Sequence, residues 1–206
     1  MRTPNRYLLL FFFVTVFISL ALGKQVFASE HPKKFTVITT VAPITNMVRN
    51  IGGVYIDVIG VVPDGVDSHT FEPIPSDIKT LQAADLIIAN GLDLELPTLK
   101  LAEKVKKPAT RVVQLGNRTL KEEDWQYDFS FPREHGHPNP HLWLNIQLVM
   151  QYAEIIRDSL SELDPKHQEQ YFLNTETYLA KLTKLDQAIF ACVKTIPEKN
   201  RKLVTY

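Results

Sequence analysis

Short runs rich in β-branched residues alternate with stretches of helical periodicity over residues 35–115 of this 206-residue chain. Parallel strands need a crossover connection, usually a helix, so this alternation is typical of parallel βαβ units. The predicted strands cover residues 35–40, 55–61, 86–89 and 111–115. The predicted helices between them cover residues 44–51, 75–84 and 96–106. We therefore predict an α/β fold in which a four-stranded parallel sheet is flanked by helices.

Two helical segments follow, predicted over residues 144–163 and 165–194, on either side of the step from Asp164 to Pro165. Aspartate is a good helix cap, and proline suits the first helical position. The second helix would be about 45 Å long at about 1.5 Å per residue, long enough to act as a strut between two lobes. Its apolar residues recur at steps of 3, 4 or 7, which predicts one buried face with Cys192 as a small core residue.

The start of the chain has the features of an export signal. Arg2 and Arg6 precede an uncharged apolar run over residues 7–22, and Val26-Phe27-Ala28 is a small-x-small cleavage site. We predict a signal peptide over residues 1–28, cleaved after Ala28. The alternative is an uncleaved anchor, because the run approaches the roughly 17–25 residues of a spanning helix. No cysteine lies near the cleavage site, so we expect a free periplasmic protein without a lipid anchor.

Charge and cysteine content exclude several classes of protein. Without residues 1–28, 20 basic residues face 23 acidic ones, a net charge of −3, which disfavours nucleic acid as a partner. A single cysteine rules out an internal disulfide and a cysteine-based zinc finger.

Two turns each carry one histidine beside a proline. His69 lies in the sequence Asp-Ser-His-Thr-Phe-Glu-Pro over residues 67–73, and His141 lies in Asn-Pro-His-Leu-Trp-Leu-Asn over residues 139–145. His69 follows the second predicted strand, and open α/β sheets bind ligands beyond the carboxyl ends of their strands. Imidazole binds most first-row transition metals, and distant turns suit a site that captures and releases an ion. His69 and His141 are therefore candidate metal ligands.

Neighbouring residues allow more than one interpretation. Glu72 is either an acceptor that orients an imidazole or a solvated carboxylate. His135 and His137, within the predicted polar loop over residues 117–140, form either a chelating tract or a mobile polar segment. Phe71 and Trp143 are predicted to be packing residues.

Residues 202–206 (Lys-Leu-Val-Thr-Tyr) have the composition of a strand, with no polar tail after it. Chain termini are usually polar and frayed. We therefore expect residues 1–206 to be the front part of a longer protein, with a second βαβ lobe beginning at this strand.

Taken together in order and spacing, four segments resemble the zinc and manganese class of periplasmic solute-binding proteins, which feed ABC importers. These segments are residues 67–73, residues 84–91 (Ala-Asp-Leu-Ile-Ile-Ala-Asn-Gly), residues 139–145 and residues 202–206. The resemblance runs from about Phe35 to Tyr206.

That resemblance implies two α/β lobes joined by a rigid helix, with a metal ion held in the cleft by two side chains from each lobe. His69 matches the family's first ligand and His141 its second. The third ligand, His or Glu, and the fourth, often acidic, would lie beyond Tyr206. The implied organisation is a signal peptide (1–28), a metal-binding lobe (29–140), a helical segment with the linker helix (141–200) and the start of a truncated second lobe (201–206).

The function implied by the resemblance is high-affinity capture of Zn²⁺ or Mn²⁺ outside the inner membrane and delivery to an ABC permease, by a monomeric protein that is not an enzyme. Three imidazoles would favour zinc, and carboxylate oxygens would favour manganese. One alternative is a secreted zinc hydrolase built from His69, Glu72 and one of His135, His137 or His141. His69 and Glu72 lack the His-Glu-x-x-His spacing of a metalloprotease helix, which argues against this alternative. Another alternative is a surface adhesin, since the family includes proteins described as adhesins.

Overall fold

Four parallel strands form one sheet within residues 33–202, the part of the chain that this computed structural model describes. The strands are β1 (Phe35–Thr39), β2 (Ile56–Gly60), β3 (Leu86–Ala89) and β4 (Arg111–Gln114). Their order is β2-β1-β3-β4, and each neighbouring pair is parallel. The predicted α/β class and four-stranded parallel sheet are confirmed.

The helices of residues 33–202 flank this sheet. They are α1 (Ala42–Gly52), α2 (Pro75–Ala83), α3 (Leu96–Val105), α4 (Leu115–Thr119), α5 (Ile146–Leu163) and α6 (Gln168–Lys194). Short 3₁₀ turns cover Gly53–Tyr55, Glu122–Asp124, Arg133–His135, Leu142–Leu144, Pro165–His167 and Glu198–Asn200. Prolines in the first turns of α1, α2 and α3 suit positions where a backbone N–H has no helical partner.

Successive residues of the inner strands alternate between two apolar clusters, one on each face of the sheet. Val37 belongs to the cluster that includes residues of α1, α5 and α6, whereas Ile38 belongs to the cluster that includes residues of α2 and α3. On the first face, Tyr152, Ile156 and Leu160 of α5 are fully buried. Each fully buried apolar side chain stabilises the fold by about 1.5–3 kcal/mol. These buried side chains therefore hold the α5–α6 pair against the first face of the sheet.

The structure corrects the start of the predicted polar loop over residues 117–140. Its first three residues belong to α4, and two 3₁₀ turns interrupt the rest. Pro132, Pro138 and Pro140 led to the prediction of an irregular loop, but all three lie beyond α4. They therefore could not prevent that helix.

The starts of the two helices predicted at Leu144 and Pro165 also shift. Helix α5 begins at Ile146, two residues later than predicted, because the Asn145 side chain caps it by accepting from the Gln147 N–H at 3.0 Å. Pro165–His167 is a 3₁₀ turn, and α6 starts after it. The Asp164 carboxylate caps no backbone amide there; it bonds the His167 ring and the hydroxyl of Tyr171.

The prediction that Cys192 is a core residue is wrong, because Cys192 is exposed. Leu182 is the last buried side chain of α6, and beyond it Leu185, Ile189 and Phe190 are exposed apolar residues. Helical periodicity predicts an apolar face correctly, but only a packing partner buries it. Within residues 33–202, the end of α6 has none.

Two predicted segments lie outside the described residues: the signal peptide over residues 1–28 and, apart from Lys202, the strand over residues 202–206. Within residues 33–202, no helix combines the length and apolarity needed to cross a bilayer.

Glu95 is an almost fully buried carboxyl group at the carboxyl ends of β1 and β3. Its side chain accepts hydrogen bonds from the Thr40 hydroxyl at 2.5 Å and from the N–H groups of Asn90 at 2.7 Å and Gly91 at 3.2 Å. Burial raises the pKa of Glu95 above its usual value, and these hydrogen bonds partly oppose the rise. The folded chain therefore holds a proton at Glu95 more tightly than the unfolded chain.

This raised pKa predicts how a neutral replacement depends on pH. The contribution of Glu95 to stability is complete below its unfolded pKa and is lost as the pH rises through its folded pKa. We therefore expect Glu95→Gln to be most destabilised relative to the wild type in acid, with the difference narrowing as the pH rises. Urea unfolding of the wild type and of Glu95→Gln across about pH 4–8 measures this difference in unfolding free energy. Glu103→Gln, at an exposed position of the helix that begins directly after Glu95, is the control, and a pH-independent difference for Glu95→Gln would contradict the prediction.

Candidate metal site

The structure brings the rings of His69 and His141 together with their planes tilted by 56°, although they lie 72 positions apart in the sequence. Their Nε2 atoms are 3.1 Å apart, and the ring centroids are 5.2 Å apart. His69 is exposed and His141 is half-buried. Two ring nitrogens therefore converge on one point at the surface, beyond the carboxyl end of β2.

The loop after β2 is held by its own side chains. The Asp67 carboxylate accepts from the His69 N–H at 2.9 Å and from the Thr70 hydroxyl at 3.2 Å, an Asx-type turn. Phe71, next in the loop, packs against the core as predicted. The backbone of His69 is thus fixed locally, two residues from its anchor in the core.

Asn139 orients His141. Its Oδ1 accepts from the His141 backbone N–H at 3.0 Å and from the ring Nδ1 at 2.7 Å, while its Nδ2 donates to Asp128 at 2.5 Å. A proton on Nδ1 leaves the lone pair on Nε2, the atom that faces His69. The hydrogen bond from Asn139 also lowers the pKa of Asp128 below its usual value, so this carboxylate stays ionised. The Asp128–Asn139–His141 chain selects the tautomer that a metal ligand requires.

Aromatic side chains surround the two imidazoles. The Phe131 ring centroid lies 5.8 Å from that of His69 and 5.4 Å from that of His141, and Trp143 meets His141 edge-on at 5.1 Å. Partial burial lowers the pKa of His141 below its usual value, and the nearby His69 lowers it further, against a smaller opposing effect of Asp128. His141 is thus held in the neutral form that binds metals.

The other predicted candidates lie apart from this pair. The His137 ring bonds Asp93 at 2.9 Å, and His135 is exposed in a 3₁₀ turn. Glu72 is exposed; the residue that orients an imidazole is Asn139, which the sequence analysis missed. The signal was its position two residues before His141, where an Asx turn can reach the ring. Within residues 33–202, no group of three or more His, Cys, Asp or Glu side chains is placed to hold an ion.

Comparison with known proteins identifies the family. The family described as zinc-uptake complex component A, periplasmic (ZnuA), matches residues 37–206. The metal ABC transporter substrate-binding lipoprotein FimA of Streptococcus parasanguinis is 33% identical over 94% of this chain and 62% of the relative. The iron-binding protein YfeA of Yersinia pestis is 35% identical over 86% of this chain and 55% of the relative. The chain thus spans about three fifths of the length of these curated relatives.

Solved structures show the same fold. The manganese-bound periplasmic metal binding protein of Candidatus Liberibacter asiaticus matches with a TM-score of 0.71 and 27% identity, over 82% of this chain and 60% of that one. The periplasmic zinc binding protein TroA from Treponema pallidum matches with a TM-score of 0.72 and 26% identity, over 80% of this chain and 57% of that one. With the family matched over most of its length, this chain belongs to the periplasmic zinc-uptake complex component A family.

Proposed function

We propose that this protein captures a divalent transition metal ion, Zn²⁺ or Mn²⁺, outside the inner membrane and delivers it to an ABC import permease. The observation that carries this proposal is the pair of facing Nε2 atoms of His69 and His141, 3.1 Å apart. The ion is the cargo, and no chemical step is required of the protein.

The separation of these nitrogens suits a shared ion. Zinc binds imidazole nitrogen at about 2.0–2.1 Å, so two tetrahedral ligands are about 3.3 Å apart. The observed 3.1 Å is close to that value without any movement of the loops. A neutral His141 with its Nδ1 proton held by Asn139 adds the correct protonation state.

Two histidines alone leave a tetrahedral ion with open positions, so we propose that the remaining ligands come from a second lobe. The support is the length of the relatives, of which this chain covers 55–62%. The exposed apolar residues of α6 beyond Leu182 support it further, because they are a face for such a lobe to cover. The proposed organisation remains a metal-binding lobe (29–140), a helical segment (141–200) and the start of the second lobe (201–206).

Relatives differ in the metal that their names print: iron for YfeA and manganese for PsaA of Streptococcus pneumoniae. Two imidazoles are compatible with either proposed ion, and the further ligands decide between them. Purified protein should bind Zn²⁺ at least as tightly as Mn²⁺ whichever is transported, following the Irving–Williams order.

We further propose export by a signal peptide cleaved after Ala28 and release as a free monomer. Several relatives are named lipoproteins, but this chain has no cysteine near the predicted cleavage site, its single cysteine being Cys192. The partner is then a membrane permease that opens the cleft.

Calorimetric titration with Zn²⁺ and Mn²⁺ tests capture, on this chain and on the complete reading frame of its gene. Growth of a deletion strain in chelator-treated medium, with and without the gene, tests delivery. We expect tight binding and restored growth with the complete reading frame. Absence of binding to either ion would overturn the proposal.

Replacing Asn139 tests the orientation of His141. Asn139→Ala removes the acceptor of the Nδ1 proton, and loss of such outer-shell partners typically weakens metal affinity about 10–100-fold. Asn145→Ala is the matched control, because this asparagine also accepts from a backbone N–H at 3.0 Å but touches no imidazole. It should cost about 1 kcal/mol of stability as a lost helix cap and leave Zn²⁺ affinity unchanged. Equal affinities for the two variants would contradict the role of Asn139.

A further inference from the structure

The crevice at the carboxyl ends of β1 and β3 is the point where the strand order of the sheet reverses. Ligands of open α/β sheets commonly bind in such a crevice. Here the protein's own side chains fill it: Thr40 follows β1, Asn90 follows β3, and Glu95 lies between them with 1% of its surface exposed. The chain turns back towards Glu95 through three successive left-handed residues, 91–93. Left-handed conformations of non-glycine residues are energetically unfavourable and persist only where the surrounding structure holds them in place. Such conformations are common at functional sites.

Asn90 connects this buried network to the loop of His141. Its Nδ2 donates to the carbonyl oxygen of Pro140 at 3.0 Å and to that of Gly91 at 3.0 Å. Its Oδ1 accepts from the hydroxyl of Tyr152, on α5, at 3.2 Å. Asn90 and Tyr152 are both 0% exposed, so water does not compete for these bonds.

The Pro140 carbonyl and the His141 N–H belong to one planar peptide unit. Asn90 holds the oxygen of this unit, together with the N–H of Leu142 at 2.9 Å, and Asn139 holds its nitrogen. Fixing both ends of a rigid plane fixes the position of the His141 Cα, which lies in that plane. His69 has no corresponding hydrogen bond to the core within residues 33–202, since its N–H is bonded within its own turn, and its loop contacts the core through the packed side chain of Phe71 instead.

We propose that Asn90 is a positioning residue that sets the place of the His141 ring through the Pro140 carbonyl, with Tyr152 and Glu95 holding Asn90. This role rests on the proposed metal capture. In this arrangement His141 is the rigidly held ligand of the pair, and His69 is the ligand that adjusts to the ion. An ion that enters then meets one preorganised ligand, which reduces the ordering needed on binding.

The test uses Asn90→Ala and Tyr152→Phe in the complete reading frame, with Tyr171→Phe as the matched control. Tyr171 is also 0% exposed, and its hydroxyl donates at 2.8 Å to Asp164, away from the histidines. Three quantities are measured: Zn²⁺ affinity by chelator competition, the midpoint of thermal unfolding, and the ring ¹⁵N shifts of His141 in the metal-free protein. The ring shifts report the tautomer and averaging of His141, which a general loss of stability does not change.

We expect Asn90→Ala and Tyr152→Phe to weaken Zn²⁺ binding about tenfold, in line with other outer-shell losses, and to average the ring signals of His141. Tyr171→Phe should lower the unfolding midpoint as much and leave both other quantities unchanged. Wild-type affinity and ring shifts in both variants, or equal loss of affinity in Tyr171→Phe, would overturn the role of Asn90. His141→Ala, in the same assay, separates the two proposals: unchanged affinity there would reject metal capture at this pair, and the ring shifts of the metal-free variants would still decide whether Asn90 positions His141.

Discussion

Replacing either His69 or His141 by alanine is expected to weaken Zn²⁺ binding by the complete protein about 100- to 1,000-fold. Four-ligand zinc sites bind with about 10–16 kcal/mol, or about 2.5–4 kcal/mol for each ligand. At about 1.4 kcal/mol for each tenfold change, loss of one ligand corresponds to between two and three orders of magnitude. Both variants should lose a similar amount, because both Nε2 atoms face the same point.

His137→Ala is the matched control for these two variants. His137 is exposed and bonds the carboxylate of Asp93, so its replacement removes an imidazole from the same region without touching the pair. Calorimetry with chelator competition should return the wild-type affinity for His137→Ala. If His137→Ala loses as much affinity as His141→Ala, the ion is not held by the facing histidines alone, and His137 belongs to its ligand set.

Much of the fold follows from local pattern. Strand β3 was predicted with its observed ends because four consecutive buried apolar residues lie between polar ones. The last residue of α6, Lys194, was also predicted, but the burial of its final turns was not, since the periodicity around Cys192 shows an apolar face but not what lies against it. Starts of helices depend on single side chains, as with the cap at Asn145.

The site could be predicted only as two separate residues. His69 and His141 were recognisable from their turns, yet their separation of 3.1 Å depends on long-range bonds such as that from Asn90 to the Pro140 carbonyl. Glu95 illustrates why the other residues of the site could not be predicted from the sequence. A glutamate just before a helix usually signals an exposed first turn, whereas here the Thr40 hydroxyl and the amides of Asn90 and Gly91 make its burial possible.

Gly91→Ala should destabilise the protein far more than Gly65→Ala, although both glycines have φ = +81°. A left-handed backbone costs a residue with a side chain about 1–2 kcal/mol, and this cost applies equally to both variants. A Cβ at Gly65 meets nothing within 4 Å, whereas one at Gly91 would lie 2.3 Å from Asn117 Oδ1 and 2.9 Å from Gln114 Cβ. Overpacking of this kind adds about 1–3 kcal/mol.

Urea unfolding of the two variants isolates that steric contribution, because the backbone strain cancels in their difference. Asn117 can move away only by breaking its hydrogen bond to the Leu92 N–H at 3.0 Å, and Gln114 Cβ is fixed by its own backbone. Adding Asn117→Ala to Gly91→Ala should therefore restore little stability. Equal unfolding free energies for Gly91→Ala and Gly65→Ala would show that the turn at residues 91–93 yields easily, and a turn that yields could not hold Asn90 and Glu95 in place behind His141.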